Sequence, residues 1–322
     1  RHAIGRLLRQ LLVVCVGPPL IHGLPECFNP TPGSRQCDYR TRWEVARALH
    51  RVIDGFLARG LCRLELGRLC RTGRDGRPFA EGRAGFLGSD GEWAVSGHTG
   101  ESQGHTAFLF DIAFERAPKR VCEVGFNVGH SAVTLLTAAG SNTSYLGFDL
   151  AALNPGANEE LFELLRSWLG SGHPMEMHWG DAGKTLPRYV AELASKAERE
   201  AAVGAGCELL FYDGPHDVIS VLHLLPLLRR LAAHSKPLVV IDDVRCEGGL
   251  CKHSELAWDF LVWAGLIRQI RCQSARSAYS TRSTDDFGAC VGEFRWGPGA
   301  AACSIFDAWC VARTLTESYK PG

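Results

Sequence analysis

Acids close five successive apolar runs of the chain. Glu123 lies within Val121-Cys122-Glu123-Val124, Asp149 follows Tyr145-Leu146-Gly147-Phe148, Asp181 follows Met175–Trp179 and Gly180, Asp213 follows Leu210-Phe211-Tyr212, and Asp242-Asp243 follow Val239-Val240-Ile241. A single acid after a strand forms a turn or caps a helix. Five on one edge of one sheet make a ligand site, able to hold hydroxyls, a positive charge or a cation. His216 stands three residues after Asp213. An imidazole there can take a proton near neutral pH, or it can serve as a helix-start residue bonded to a neighbouring carboxylate. His130 reads chiefly as a polar helix-start residue. His105 and Glu101, ahead of the first run, are candidates to close over a ligand.

The first run leads into Gly125-Phe126-Asn127-Val128-Gly129-His130-Ser131. Glycines at 125 and 129 let the backbone turn sharply and let a ligand approach the main chain at the carboxyl end of a strand. A dinucleotide dehydrogenase would carry GxGxxG. The GxxxG spacing and the acid two residues ahead of it disfavour a nicotinamide enzyme.

Helices must alternate with strands to bring these ends together. Apolar runs predict strands at 121–126, 145–150, 175–179, 207–212, 238–244, 267–272 and 289–295, with helices near 41–59, 105–117, 130–139, 158–169, 185–200, 217–233 and 254–264. The expected fold class is α/β: a Rossmann-like, doubly wound, seven-stranded, mostly parallel sheet, with an N-terminal helical and irregular extension.

The order and spacing of these motifs resemble the class I S-adenosylmethionine-dependent methyltransferases over roughly residues 100–296. The resemblance implies a last strand that runs antiparallel. It places Glu123, Gly125, Asn127, Gly129 and Ser131 around the methionine part of the cofactor, Asp149 at the ribose hydroxyls, and Asp181 with Ala182 at the adenine. Asp213 borders both cofactor and acceptor. Leu210–His216 and Val239–Asp243 look like the small-molecule O-methyltransferase branch of catechol and macrocin type. That branch implies Asp213, Asp242 and Asp243 as ligands of Mg²⁺ or another divalent cation. His216 and Asp213, from their own chemistry and spacing, are the expected catalytic pair. Catechol-type enzymes carry Asn where Asp243 stands and Lys where His216 stands. The expected activity is methyl transfer to an oxygen of a small-molecule or sugar-like acceptor. The alternative is a catalytically silent methyltransferase-like binding domain.

Composition sets the frame around this site. The 322 residues carry 35 basic and 35 acidic side chains and 46% apolar residues, an ordinary globular makeup. The zero net charge argues against nucleic-acid binding by bulk electrostatics. It conceals a basic segment 1–83, with fifteen Arg, no Lys and seven acids (15 − 7 = +8), against 20 − 28 = −8 in the rest. The expected organisation is a signal, anchor or transit segment at 1–24, a cap with a helix and a Gly-rich loop (82–104) at 25–100, and the methyltransferase domain with a Cys-rich tail at 101–322. Membrane contact is expected through the N-terminal segment alone. Thirteen cysteines favour an oxidising, luminal or membrane-tethered setting, with an organelle or the cytoplasm as the alternative. Cys246 and Cys251 are expected to form a disulfide bordering the acceptor site, whereas Cys122 and Cys207, inside apolar runs, read as buried small hydrophobes. Trp179, Tyr212, Trp258 and Trp263 are expected in core and helix-face packing.

Overall fold

The computed structural model describes residues 37–64, 102–151, 157–169, 173–200, 206–232, 236–247, 249–275 and 287–295. Segment 1–24, Glu101, all but the last few residues of the Gly-rich loop and the C-terminal tail lie outside them.

Among the described residues seven helices and seven strands follow one another: α1 (Tyr39–Leu64), α2 (Gln103–Arg116), β1 (Arg120–Val124), α3 (His130–Ala139), β2 (Ser144–Asp149), α4 (Ala157–Leu169), β3 (Met175–Trp179), α5 (Ala182–Glu200), β4 (Leu209–Tyr212), α6 (Val218–Leu231), β5 (Leu238–Asp242), α7 (Gly249–Trp263), β6 (Ile267–Ala275) and β7 (Phe287–Phe294). They form one sheet of order β3-β2-β1-β4-β5-β7-β6. The first five strands run parallel and β7 is antiparallel to both β5 and β6. The sheet order reverses between β1 and β4, which opens a crevice outside the carboxyl ends of those strands. Register fixes what meets there: Val124 pairs with both Phe148 and Tyr212, so Gly125, Asp149 and Asp213 emerge side by side.

Alternation along each strand divides the core in two. Cys122, Val124, Leu146, Phe148, Leu210, Tyr212, Val239 and Ile241 pack on the side of α5, α6 and α7. Val121, Tyr145, Leu209, Phe211 and Val240 pack on the side of α1 to α4. Helix α1 belongs to that second layer: Ala46, Leu49 and Ile53 share its core, and Arg42 Nη1 donates to Ala138 O at 2.6 Å. Helix α2 is started by Ser102, whose hydroxyl accepts from His105 N at 3.3 Å, and ends at Ala117 in the left-handed region just ahead of Pro118. Helix α6 starts at Asp217, which accepts from Ser220 N at 2.9 Å. Among the described residues no helix is long and apolar enough to cross a membrane.

The cysteines correct one expectation. Cys122 and Cys207 are buried, as their apolar neighbours imply, but they are joined as a disulfide, with Cα atoms 5.8 Å apart. The Cys246–Cys251 disulfide is present, and a third joins Cys272 to Cys290 directly across β6 and β7. Trp263 also departs from expectation, being 84% exposed, while Tyr212 and Trp258 are buried and Trp179 packs on Phe126 and Phe162.

Candidate active site

The glycine turn is fixed by what lies behind it. Gly125 has φ +97°, and a Cβ there would lie 1.8 Å from the carbonyl oxygen of Asp213, so only glycine lets β1 leave the sheet against β4. Gly125 N donates to Phe148 O at 2.9 Å and Asp213 N to Val124 O at 2.8 Å, which laces the three strand ends together. The loop then visits the left-handed region again at Asn127, φ 47°, and Gly129, φ 88°. Asn127 N donates to Asp149 Oδ2 at 2.8 Å, and Ala151 N to Asp149 Oδ1 at 2.6 Å. Asp149 is thereby held with both oxygens at the crevice. The Asn127 Oδ1 atom is buried and has no hydrogen-bond partner, an orphaned acceptor in the loop expected to hold a ligand.

Beneath this loop Glu123 is fully buried, and its carboxylate accepts from Ser131 Oγ and from the Tyr145 hydroxyl. Burial pushes its carboxyl up to about 7; the two hydroxyl donors lower it, and the Asp149 charge adds to the rise. Desolvation and then the Glu123 charge drive the Tyr145 phenol well above its ordinary range. Glu123 therefore underpins the turn rather than lining it. The unfolded chain releases this proton near 4.5 and the folded chain near 7, so the contribution is full below the lower value and is lost as pH rises through the upper one. Stability of the unliganded protein is expected to fall between pH 5 and 7.5, by up to about 1.4 kcal/mol per pH unit from this group. Denaturant melts of the protein and of Glu123→Gln over that range check this: the variant's curve is expected to be flatter, and parallel curves would remove Glu123 as the cause.

Asp181 lies beside Asp149 at the β3 end, since Gly180 N donates to Asp149 O at 2.8 Å. Its side chain is half exposed and accepts from Gly183 N at 2.8 Å at the start of α5, with Ala182 buried next to it. Asp213 is half-buried, and its carboxyl is raised well above the usual range by desolvation and then by the charges of Asp242, Asp243, Glu123 and Asp149. Five carboxylates thus act on one another in a desolvated place, a field that favours a positively charged guest.

Asp242 and Asp243 diverge. Asp242, still in β5, turns Oδ1 to within 3.0 Å of His105 Nε2 from α2, both side chains being almost wholly buried. Burial pulls the His105 imidazole down, but the Asp242 and Asp243 charges outweigh it and the net shift is upward. Asp243 adopts φ 53°, which swings its Oδ2 to 3.2 Å from His216 Nδ1. Its carboxyl rises to about 7 through burial and then the Asp242 charge. Burial lowers His216, so the ring is neutral at pH 7. The turn carrying it is held by the Tyr212 hydroxyl, which donates to Pro215 O at 2.7 Å.

The structure thus brings Glu123, Gly125, Asn127, Gly129, Ser131, Asp149, Asp181, Ala182 and Asp213 to one end of the sheet, with His216 at its β4–α6 turn. Asp213, Asp242 and Asp243 share that edge but do not converge as a metal set. Among the described residues, the ligand atoms gathered within 4.8 Å of one another are those of Asp243, Cys246 and Cys251. Each of the last two aspartates faces an imidazole instead. The three do not fit a divalent ion as arranged, and no step below is routed through one. His130 turns away from the cleft: its Nε2 lies 2.9 Å from Asp54 Oδ1, and its ring meets that of His50, tying α3 to α1. The pairing of His105 with Asp242, and of Tyr145 with Glu123, had no signature in residue spacing.

A family model described as Methyltransferase domain matches residues 122–244. No curated protein sequence matches the chain. Among solved structures, the chain resembles an O-methyltransferase from Bacillus cereus in complex with SAH, at 13% identity and TM-score 0.43, over 60% of this chain and 81% of that one. It resembles the O-methyltransferase TomG from Streptomyces achromogenes, in complex with SAM, at 15% identity and TM-score 0.43, over 59% and 79%. The N-methyltransferase NodS from Bradyrhizobium japonicum is similar at 8% identity and TM-score 0.40, over 59% and 93%. The matched stretch runs from within β1 to just past β5 and contains every strand-end carboxylate of the cleft.

Proposed function

We propose, from the match of residues 122–244 to a methyltransferase-domain model, that this protein transfers the methyl group of S-adenosylmethionine to an oxygen of a small-molecule or sugar-like acceptor. The observation that carries the proposal is the tie between glycine loop and strand-end acid, Asn127 N to Asp149 Oδ2 at 2.8 Å, beneath the orphaned Asn127 Oδ1. This is a turn built around a ligand with hydroxyls to offer and donors to match.

The bound cofactor supplies an activated methyl group on a positively charged sulfur. The chain has to bind it, align the acceptor, exclude water and accept one proton. Asp149 keeps a lone pair on each oxygen for ribose hydroxyls after accepting from Asn127 and Ala151. The buried carboxylates around Asp213 favour the cationic cofactor over its neutral product. His216 accepts the acceptor's proton: it is neutral at pH 7, Asp243 contacts its Nδ1, and Nε2 is left for the hydroxyl. Three disulfides among the described residues support work in an oxidising compartment.

Transfer of a labelled methyl group to a panel of catechols and hydroxylated sugars tests the reaction. His216→Ala is expected to lower kcat on a competent acceptor about 100-fold while leaving the affinity for S-adenosylhomocysteine within about twofold. An unchanged kcat would take the proton-accepting role from His216. Tight cofactor binding without turnover on any acceptor would favour a silent binding domain.

A further inference from the structure

We propose that Cys246 and Cys251, once their disulfide is opened, form with Asp243 and His216 a binding site for a thiophilic divalent cation of the zinc type. Three of the four side chains already gather their ligand atoms, and the fourth, His216, faces the Asp243 carboxylate. A carboxylate oxygen of Asp243 and both sulfurs lie within 4.8 Å of one another, and Asp243 Oδ2 lies 3.2 Å from His216 Nδ1. Tetrahedral zinc, with bonds of about 2.0–2.3 Å to N, O and S, separates its ligand atoms by about 3.3–3.8 Å. The two sulfurs, now bonded, must move apart, and the His216 ring must turn from Asp243 toward them. Two thiolates, one imidazole and one carboxylate form a set suited to zinc rather than to magnesium.

Contacts other than the disulfide hold the scaffold. Asp243 and Arg245 both take left-handed conformations, φ 53° and 63°, which curl the chain after β5 back on itself. Val244 N donates to Gly288 O at 3.0 Å, and the Arg245 guanidinium is clamped by Glu255 and Asp259 of α7. Cys251 lies in the first turn of α7, where the helix dipole favours a thiolate. Cys246 and Cys251 are both buried, so an ion held there is shielded from solvent.

The chemistry needs a reductant, for which a trialkylphosphine serves. The S–S bond breaks, phosphorus takes the oxygen of a water molecule to become the phosphine oxide, and the two hydrogens of that water end on the two sulfurs. Binding of the cation then releases both thiol protons to solvent. The site shares Asp243 and His216 with the proposed proton acceptor, so occupancy would withdraw that imidazole. The binding itself does not depend on the catalytic reading.

Cobalt(II) is the probe, added to the full chain after phosphine reduction, beside a Cys246→Ser/Cys251→Ser double variant treated identically. Reduced wild-type protein is expected to bind one more equivalent than the double variant, with a thiolate-to-cobalt absorption band that oxidised protein lacks. Asp243→Asn is expected to weaken binding at least about tenfold. Equal binding by wild type and double variant, or a band that persists in oxidised protein, overturns the proposal. Should the double variant fold poorly, alkylation of reduced wild-type protein decides: Zn²⁺ is expected to slow labelling of Cys246 and Cys251 at least about tenfold, and an unchanged rate overturns the site.

Discussion

Gly125→Ala is expected to abolish cofactor binding and to lower the melting temperature sharply. At φ +97° an L-residue is strained by about 1–2 kcal/mol, and its Cβ would meet the Asp213 carbonyl at 1.8 Å and the carbonyl carbon at 2.5 Å. No flexible side chain stands there to give way. Either β1 and β4 separate at the edge where they are laced, or the glycine loop is pushed into the cleft. The affinity for S-adenosylhomocysteine is expected to fall at least about 100-fold, equivalent to about 2.7 kcal/mol, with a melting temperature lower by about 5–10 °C. Gly183→Ala is the contrast, because its Cβ would stand 3.1 Å from the Asp181 side chain on a helix. Its stability is expected to stay within about 1 kcal/mol of wild type. Similar losses for both variants in calorimetry and thermal melts would show that Gly125 has no special place.

Asp149→Ala is expected to weaken binding of the same ligand about 100- to 1,000-fold. Two effects combine. The carboxylate offers charge-assisted acceptors to hydroxyls, each such bond contributing about 1.5–3 kcal/mol. It also holds the loop by accepting from Asn127 N and Ala151 N, both of which the substitution leaves unpaired. Asp149→Asn retains one acceptor oxygen and is expected to lose only about tenfold. Titration calorimetry on the three proteins separates the cases, and an alanine variant that binds like wild type would place the ribose elsewhere.

Much of this arrangement was visible in the sequence, for an identifiable reason. Runs such as Leu210-Phe211-Tyr212 and Val239-Val240-Ile241 are apolar throughout because both faces of the sheet are covered, and each ends where the polar edge begins. The strand ends and the acids that follow them were therefore legible together. Pairings between distant residues were not. His105 meets Asp242 only because α2 packs beside the β6–β7 end of the sheet, where His105 stacks on Phe287. The Cys122–Cys207 disulfide hides for the same reason: each cysteine sits among apolar neighbours, and nothing local marks the partner. Asp243 shows a third limit. Its neighbour Asp242 has the same side chain and nearly the same position, yet a single left-handed φ sends the two carboxylates to different histidines. Ligand sets that depend on side-chain direction cannot be taken from the order of residues.

The central claim is that the carboxyl edge of this sheet holds S-adenosylmethionine. Calorimetric titration of S-adenosylhomocysteine into the full chain tests it most directly. The account predicts one site with a dissociation constant tighter than about 100 µM, lost in Asp149→Ala. The absence of binding heat at two temperatures, with ligand at several times that concentration and the protein folded, would contradict it.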